Sequence, residues 1–198
     1  MKKIALVISV AILATALGFS LYLNRAQMPE PVMPVAPISR SEPVAVNFEL
    51  ADLDGKVRNI SEWHGKHRII NFWATWCAPC RREIPLLKAF QDQHGAENFQ
   101  VIGIAVEFPG PVVAYAEQAQ FNYPILVGEQ DAMAAAESSG VSFIGLPFTM
   151  VVTRDGILVG AHMGEIHQQQ LDSFVEVLDR LDRGEIDLEG ARTAARLL

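Results

Sequence analysis

Residues 69–80, IINFWATWCAPC, constrain this chain more than any other stretch. An apolar run of strand length passes directly into Trp-Cys-x-x-Cys, so a strand meets a helix at a joint carrying two thiols three positions apart. The first turn of a helix leaves backbone N–H groups unpaired, and together with the macrodipole they favour negative charge on a nearby atom. Thiolate is the attacking species in disulfide exchange. Lowering a cysteine pKa from about 8.5 to about 7 raises the thiolate share at neutral pH from a few per cent to roughly half. Cys77, on the exposed N-terminal side of the helix, is expected to attack, and Cys80, one turn further in, to resolve the mixed disulfide.

Cys77 and Cys80 are the only cysteines in 198 residues. The competing readings are two buried small hydrophobes, a structural cross-link and a pair of metal ligands. Structural zinc takes four protein ligands, and no second pair of Cys or His at suitable spacing accompanies these two. His64 and His67 flank Gly65 and Lys66 and read as loop residues. A bridge that closes so short a loop restrains little chain and adds little stability. Redox use of the pair is favoured, with no metal and no cofactor expected.

Half of the residues are hydrophobic, enough for one sizeable core in a single domain. A formal charge of −7, with no basic run longer than the Arg81-Arg82 pair, argues against a nucleic-acid partner. Lys2 and Lys3 precede the uncharged residues 4–23, about 30 Å as a helix, which predicts a transmembrane anchor over residues 1–24. The positive pair puts the N-terminus in the cytoplasm and the rest outside. A cleaved signal peptide is the alternative, since Ala14-Thr15-Ala16 has small-x-small form. Both readings export the folded domain. Pro29, Pro31, Pro34, Pro37 and Pro43 predict an extended linker over residues 25–44.

The folded domain is expected over residues 45–181. Residues 46–60, broken by Asp54-Gly55, suit a hairpin at a sheet edge, and Trp63 suits a short helical turn. Residues 67–74 and 99–106 read as strands buried on both sides, joined by a helix over 78–94 into a right-handed parallel βαβ unit. Pro79 fits the first helical turn, whereas Pro85 is expected to kink the helix. Glu83 follows Cys80 by three positions and so shares its side of the helix. Two readings stand for it: proton transfer to and from the resolving thiol, or a first-turn acid that complements the dipole and pairs with Arg81 or Arg82.

A helix from Pro109 to Gln120, an extended piece over 123–127 and a small helix over 131–138 form an additional αβ element. Next come Gly145-Leu146-Pro147-Phe148-Thr149, a strand, the turn Arg154-Asp155-Gly156 and a second strand over 157–162, necessarily antiparallel to the first. The Leu146–Pro147 bond is a candidate for cis. A helix over 167–181 is expected to bury Leu171, Phe174, Val175, Leu178 and Leu181. Residues 182–198 read as a charged, partly helical tail.

Taken together, this order resembles the thioredoxin fold, an α/β fold whose central mixed sheet combines βαβ and ββα units, here with an N-terminal β-hairpin and a central αβ insert. More narrowly, FWATWCAPCRREIP with the Pro-rich tether and the insert resembles the TlpA/ResA/DsbE family of membrane-tethered extracytoplasmic thiol:disulfide oxidoreductases. The likeness covers about residues 44–181. It implies an enzyme of the bacterial inner membrane whose domain lies in the periplasm, draws electrons from a membrane donor and reduces protein disulfides during cytochrome c or copper-protein maturation. It further implies that Cys77 attacks, Cys80 resolves, Glu83 modulates the thiols and a cis Pro147 lies against the pair. Trp76, Ala78, Pro79 and Leu146 then become the substrate-binding surface, with the backbone of Leu146 offering strand-like hydrogen bonds.

Three departures accompany the resemblance. Asn71 stands where cytosolic thioredoxins carry a buried Asp, residues 140–145 are longer than the usual Val-x-Gly link, and Phe148 replaces the common Thr. Ala78-Pro79 does not set the direction of electron flow, so a thiol oxidase of the same fold stays open. So do a copper metallochaperone using the same thiols and a non-catalytic scaffold.

Overall fold

The computed structural model describes residues 43–138, 140 and 143–196. The anchor expected over residues 1–24 and the linker as far as residue 42 lie outside the described residues. Among the described residues no helix is long and apolar enough to cross a membrane.

Seven strands form one mixed sheet in the order β2-β1-β5-β4-β3-β6-β7. They are β1 (Glu49–Asp52), β2 (Val57–Asn59), β3 (His67–Trp73), β4 (Phe99–Val106), β5 (Ile125–Gly128), β6 (Phe148–Val152) and β7 (Leu158–Met163). The helices are α1 (Ala78–His94), α2 (Pro109–Ala119), α3 (Gln130–Glu137), α4 (Gln168–Asp182) and α5 (Leu188–Ala195). β3, β4 and β5 run parallel, and β6 and β7 complete the sheet antiparallel beside β3. This is the α/β thioredoxin-like fold expected from the sequence.

The central strands are mostly apolar because both faces of the sheet are covered, with His67, Arg68 and Asn71 of β3 and Thr149 of β6 as buried polar exceptions. Ile69 and Trp73 of β3 face a core shared with α1, α2, α4 and α5, while Ile70 and Phe72 face one shared with α3 and the short 3-10 turn Ile60–Trp63. Asp54-Gly55 does make the expected hairpin turn, with Gly55 at φ +79° and the Asp52 carboxylate accepting from the backbone N–H groups of Asp54 and Lys56. β5, supplied by the insert, is the strand that joins this hairpin to the core sheet. Trp63 lies in the 3-10 turn with the Arg58 guanidinium over its ring, 5.1 Å from the centroid.

Two details differ from the sequence reading, in α4 and in the tail, while α1 runs through Pro85 as a single helical span. The proline ring removes the N–H that would reach the Arg81 carbonyl, a local loss that the buried stripe Ile84, Leu87 and Phe90 outweighs. α4 turns Leu171, Phe174, Val177 and Leu178 fully inward, leaving Val175 and Leu181 half-buried at the margin. Finally, the charged tail contributes a packed element. Ala191 and Ala195 of α5 are buried, and Arg192 donates from Nε to the Leu158 carbonyl of edge strand β7 at 3.1 Å. Gly160 makes this seat possible, since a Cβ there would come within 2.8 Å of the Ala195 Cβ.

The pole of the sheet where β3 begins is cross-braced by polar groups. Arg68 is wholly buried; its guanidinium donates to the carbonyls of Ile60 (3.0 Å) and Thr153 (3.1 Å), and burial pushes its pKa down to about 10. Beside it, His67 Nε2 lies 3.0 Å from Asp182 Oδ2, and Arg154 pairs with the same carboxylate. Ending the chain after Asp187 should uncover the α5 seat on β7 and lower the unfolding free energy by roughly 2 to 4 kcal/mol. Urea denaturation followed by circular dichroism checks this; an unchanged midpoint would show α5 to be dispensable.

Candidate active site

β3 delivers the chain to α1 through Ala74, Thr75 and Trp76, and Cys77 becomes the N-cap of α1 with extended backbone angles, φ −84° and ψ 102°. Its Sγ accepts from the Cys80 N–H at 3.3 Å, so the sulfur occupies the place where a capping oxygen usually satisfies a first-turn donor. Ala78 and Pro79 fill the first turn, where a proline loses no helical hydrogen bond. A disulfide joins Cys77 and Cys80. Cys77 retains 5 % of its surface exposed and Cys80 none, matching the expected outer and inner positions.

The joint is held from the side by Glu107, at the end of β4. Its carboxylate accepts from the Thr75 backbone N–H at 2.9 Å and from the Thr75 hydroxyl at 2.7 Å. The sequence reading passed over Glu107. The only signal for it was an acid placed directly after an apolar strand, at the end where parallel strands carry their ligands and catalytic groups.

The Leu146–Pro147 bond is cis. β6 starts immediately after it and pairs with β3 so that Phe148 lies opposite Phe72 and Thr149 opposite Asn71; continuing the register sets Pro147 level with Trp73, at the end of β3 that runs into Cys77. The Pro147 carbonyl accepts from the Gly164 N–H at 2.9 Å, which ties this bend to the connection between β7 and α4.

Glu83 turns inward from α1 and is buried. Asn71 Nδ2 donates to Oε1 at 2.8 Å, and the backbone N–H of Ile166 donates to Oε2 at 2.8 Å. Neither Arg81 nor Arg82 pairs with it. Arg82 instead reaches Glu165, Nε to Oε2 at 3.0 Å, on the surface. Burial pushes the Glu83 carboxyl up to about 7, with Glu165 adding repulsion, while the bonds from Ile166 and Asn71 oppose the rise. A carboxyl balanced near neutrality, one helical turn from Cys80, can hold a proton in one state of the couple and release it in the other. Ile166 as a partner of Glu83, and Thr149 as a second acceptor for the Asn71 amide at 3.0 Å, were not legible beforehand, because a loop N–H and a cross-strand hydroxyl leave no pattern in sequence.

Strand directions put several exposed apolar groups at this same pole. Trp76 (68 % exposed) follows β3, Phe108 (64 %) follows β4, and Ile144 (82 %) precedes β6, while half-buried Leu146 adjoins the cis bond. Among the described residues no three His, Cys, Asp or Glu side chains are grouped to hold a metal ion.

A Cys-x-x-Cys pair at a strand-to-helix joint, on a mixed sheet of this order whose adjoining strand opens at a cis proline, marks the thioredoxin-fold thiol-disulfide oxidoreductases, and this chain is one of them. Its similarity to known proteins agrees. ResA, named a thiol-disulfide oxidoreductase, is 26 % identical in Halalkalibacterium halodurans over 85 % of this chain and 90 % of that protein. ResA of Geobacillus thermodenitrificans is 28 % identical over 82 % and 90 %. Among solved structures, a thiol:disulfide interchange protein of the thioredoxin family from Chlorobium tepidum superposes with a TM-score of 0.62 at 28 % identity, covering 70 % of this chain and 97 % of that one. The chain belongs to the AhpC/TSA family, whose model matches residues 43–161.

Because the folded chain keeps a proton on Glu83 that the unfolded chain releases near 4.5, its contribution to stability is full below about 4.5 and is lost as pH rises through about 7. Denaturation of the oxidised protein against a Glu83→Gln variant should show that the difference between them shifts against the wild type across this window, by on the order of 3 kcal/mol. A difference independent of pH would mean that Glu83 is ionised throughout.

Proposed function

We propose that the protein is an extracytoplasmic reductase of protein disulfides, anchored through residues 4–23 and supplied by a membrane electron donor, with clients of the cytochrome c or copper-protein maturation type. The observation that carries the catalytic part is the buried Glu83 carboxyl behind a dithiol that opens a helix, with both of its oxygens held by donors. Location and clients rest on the charged and apolar pattern of residues 1–23 and on the likeness to ResA.

In the reduced protein the Cys77 sulfur sits at the positive end of α1, where unpaired N–H groups favour thiolate. It attacks one sulfur of a client disulfide, forming a mixed disulfide and releasing the other client sulfur as thiolate. Cys80 then gives its proton to the Glu83 carboxylate and attacks the Cys77 sulfur. The Cys77–Cys80 bond forms, the bond to the client breaks, and the second client sulfur leaves as thiolate. Two electrons pass to the client, and its thiolates take up protons, one of them from Glu83 or from solvent. Trp76, Ala78 and Pro79 line the approach to Cys77. Leu146 presents backbone beside the cis Pro147, where an extended client segment can pair as a strand. The exposed rings of Trp76 and Phe108 supply apolar contact area for such a segment.

Two measurements test this reading. A Cys80→Ser variant expressed in cells should accumulate mixed disulfides through Cys77, whereas Cys77→Ser should accumulate none; equal trapping by both would reject the division of roles. Equilibration with glutathione decides direction. A couple near the thioredoxin value of about −270 mV fits a reductase, and one near about −120 mV would make the protein an oxidase.

A further inference from the structure

Asn71 has both N–H groups of its side-chain amide committed. One goes to Glu83 Oε1 at 2.8 Å and the other to Thr149 Oγ1 at 3.0 Å, and all three residues are buried. With the Thr149 hydroxyl accepting the second N–H, the NH2 end of the amide, rather than its oxygen, is the end turned toward Glu83. β3 and β6 pair Asn71 directly with Thr149, so this orientation is built into the ladder that also carries Pro147. We propose that Asn71, its amide aligned by Thr149, is a positioning residue that sets the pH at which Glu83 releases its proton, and hence the pH range over which Cys80 can be deprotonated. The inference rests on the proton-carrying role given to Glu83 above.

The chemistry of the donor explains why an amide serves here. A neutral N–H aimed at Oε1 stabilises the ionised carboxyl and offsets part of the desolvation that burial imposes, without adding charge. A carboxylate at position 71 would do the reverse, because two acids at this separation share one proton and titrate as a pair. An aliphatic residue would leave Oε1 buried without a donor and hold Glu83 protonated to higher pH.

The other groups facing Glu83 do not duplicate this role. Ile166 provides a backbone N–H that no side-chain change removes. Glu165, paired with Arg82 at the surface, acts in the opposite sense, its charge favouring the protonated form of Glu83. Tyr123 is buried, and burial keeps its phenol protonated. Cys80 is tied up in the disulfide in the oxidised protein. His162 stands opposite Thr149 on β7 but makes no hydrogen bond to the Asn71–Glu83 pair.

The test follows the Glu83 carboxyl carbon by NMR in the full-length oxidised protein from about pH 5 to about pH 9, with the signal assigned by its loss in Glu83→Gln. Asn71→Leu should raise the midpoint by about one pH unit or more, a tenfold gain in proton affinity. Thr149→Val should raise it less, by freeing the amide, and Asn71→Asp should split the titration into two steps, one below and one above the wild-type midpoint. If Asn71→Leu fails to fold, the other two variants carry the test. Midpoints within about 0.3 unit of wild type in the folded variants would overturn the inference, since a merely structural Asn71 would change stability and leave the titration in place. The pH profile of disulfide reduction by the reduced variants separates this from the reading beneath it. A profile that moves with the carboxyl supports both. A carboxyl that moves under an unmoved profile leaves the positioning by Asn71 standing and overturns the role assigned to Glu83.

Discussion

Taking the Glu83 carboxyl out of water is a demanding local arrangement, and four separate pieces of chain converge to make it tolerable. α1 brings the acid, β3 the Asn71 amide, β6 the Thr149 hydroxyl that accepts from the amide, and the connection into α4 the Ile166 N–H. A buried acid without donors would be driven wholly to its neutral form. With two donors it rests near neutrality, where proton exchange at physiological pH is useful. The same convergence couples the helix that opens with the thiols to the strand that begins at the cis proline. The catalytic geometry and the packing of the antiparallel half are therefore one arrangement.

The sheet divides its labour between its two ends. At one end the parallel strands finish, loops carry Cys77, Glu107 and Phe108, and apolar rings stand exposed. Open α/β sheets place their working loops at the carboxyl ends of parallel strands for this reason: helix N-termini and loop backbone are gathered there. At the other end Arg68, His67, Arg154 and Asp182 are occupied with one another and with backbone carbonyls. That end is closed by polar contacts, and the exposed one is free to meet another polypeptide.

Much of the framework was legible because local pattern and tertiary role coincide. The limits of α1 and β4 were read residue for residue, since Cys77 marks the helix start and FQVIGIAV is apolar at every position but Gln100. The cis bond at Pro147 was anticipated from its place before an antiparallel pair. Glu83 stood between two roles because helical spacing says which side a residue occupies and nothing of what the neighbouring strand offers it, here the Asn71 amide. Glu107 escaped notice because its partner, Thr75, lies 32 positions away in the chain. The packing of α5 was missed for a related reason: two buried alanines among charged residues give a weak apolar signal, and the glycine that admits them is on a different strand.

Arg68 shows how unevenly such constraints fall on a lineage. Both acceptors of its guanidinium are main-chain carbonyls, at Ile60 and Thr153, with Asp155 acting only through space. Any amino acid at those two sites still offers the same oxygen, so drift there leaves the brace intact. Position 68 has no such latitude: a shorter or uncharged replacement strands two oxygens at once, and no compensating change at the acceptor sites can supply the missing donors. The brace therefore binds the identity of position 68 alone, and positions 60 and 153 answer only to their own burial.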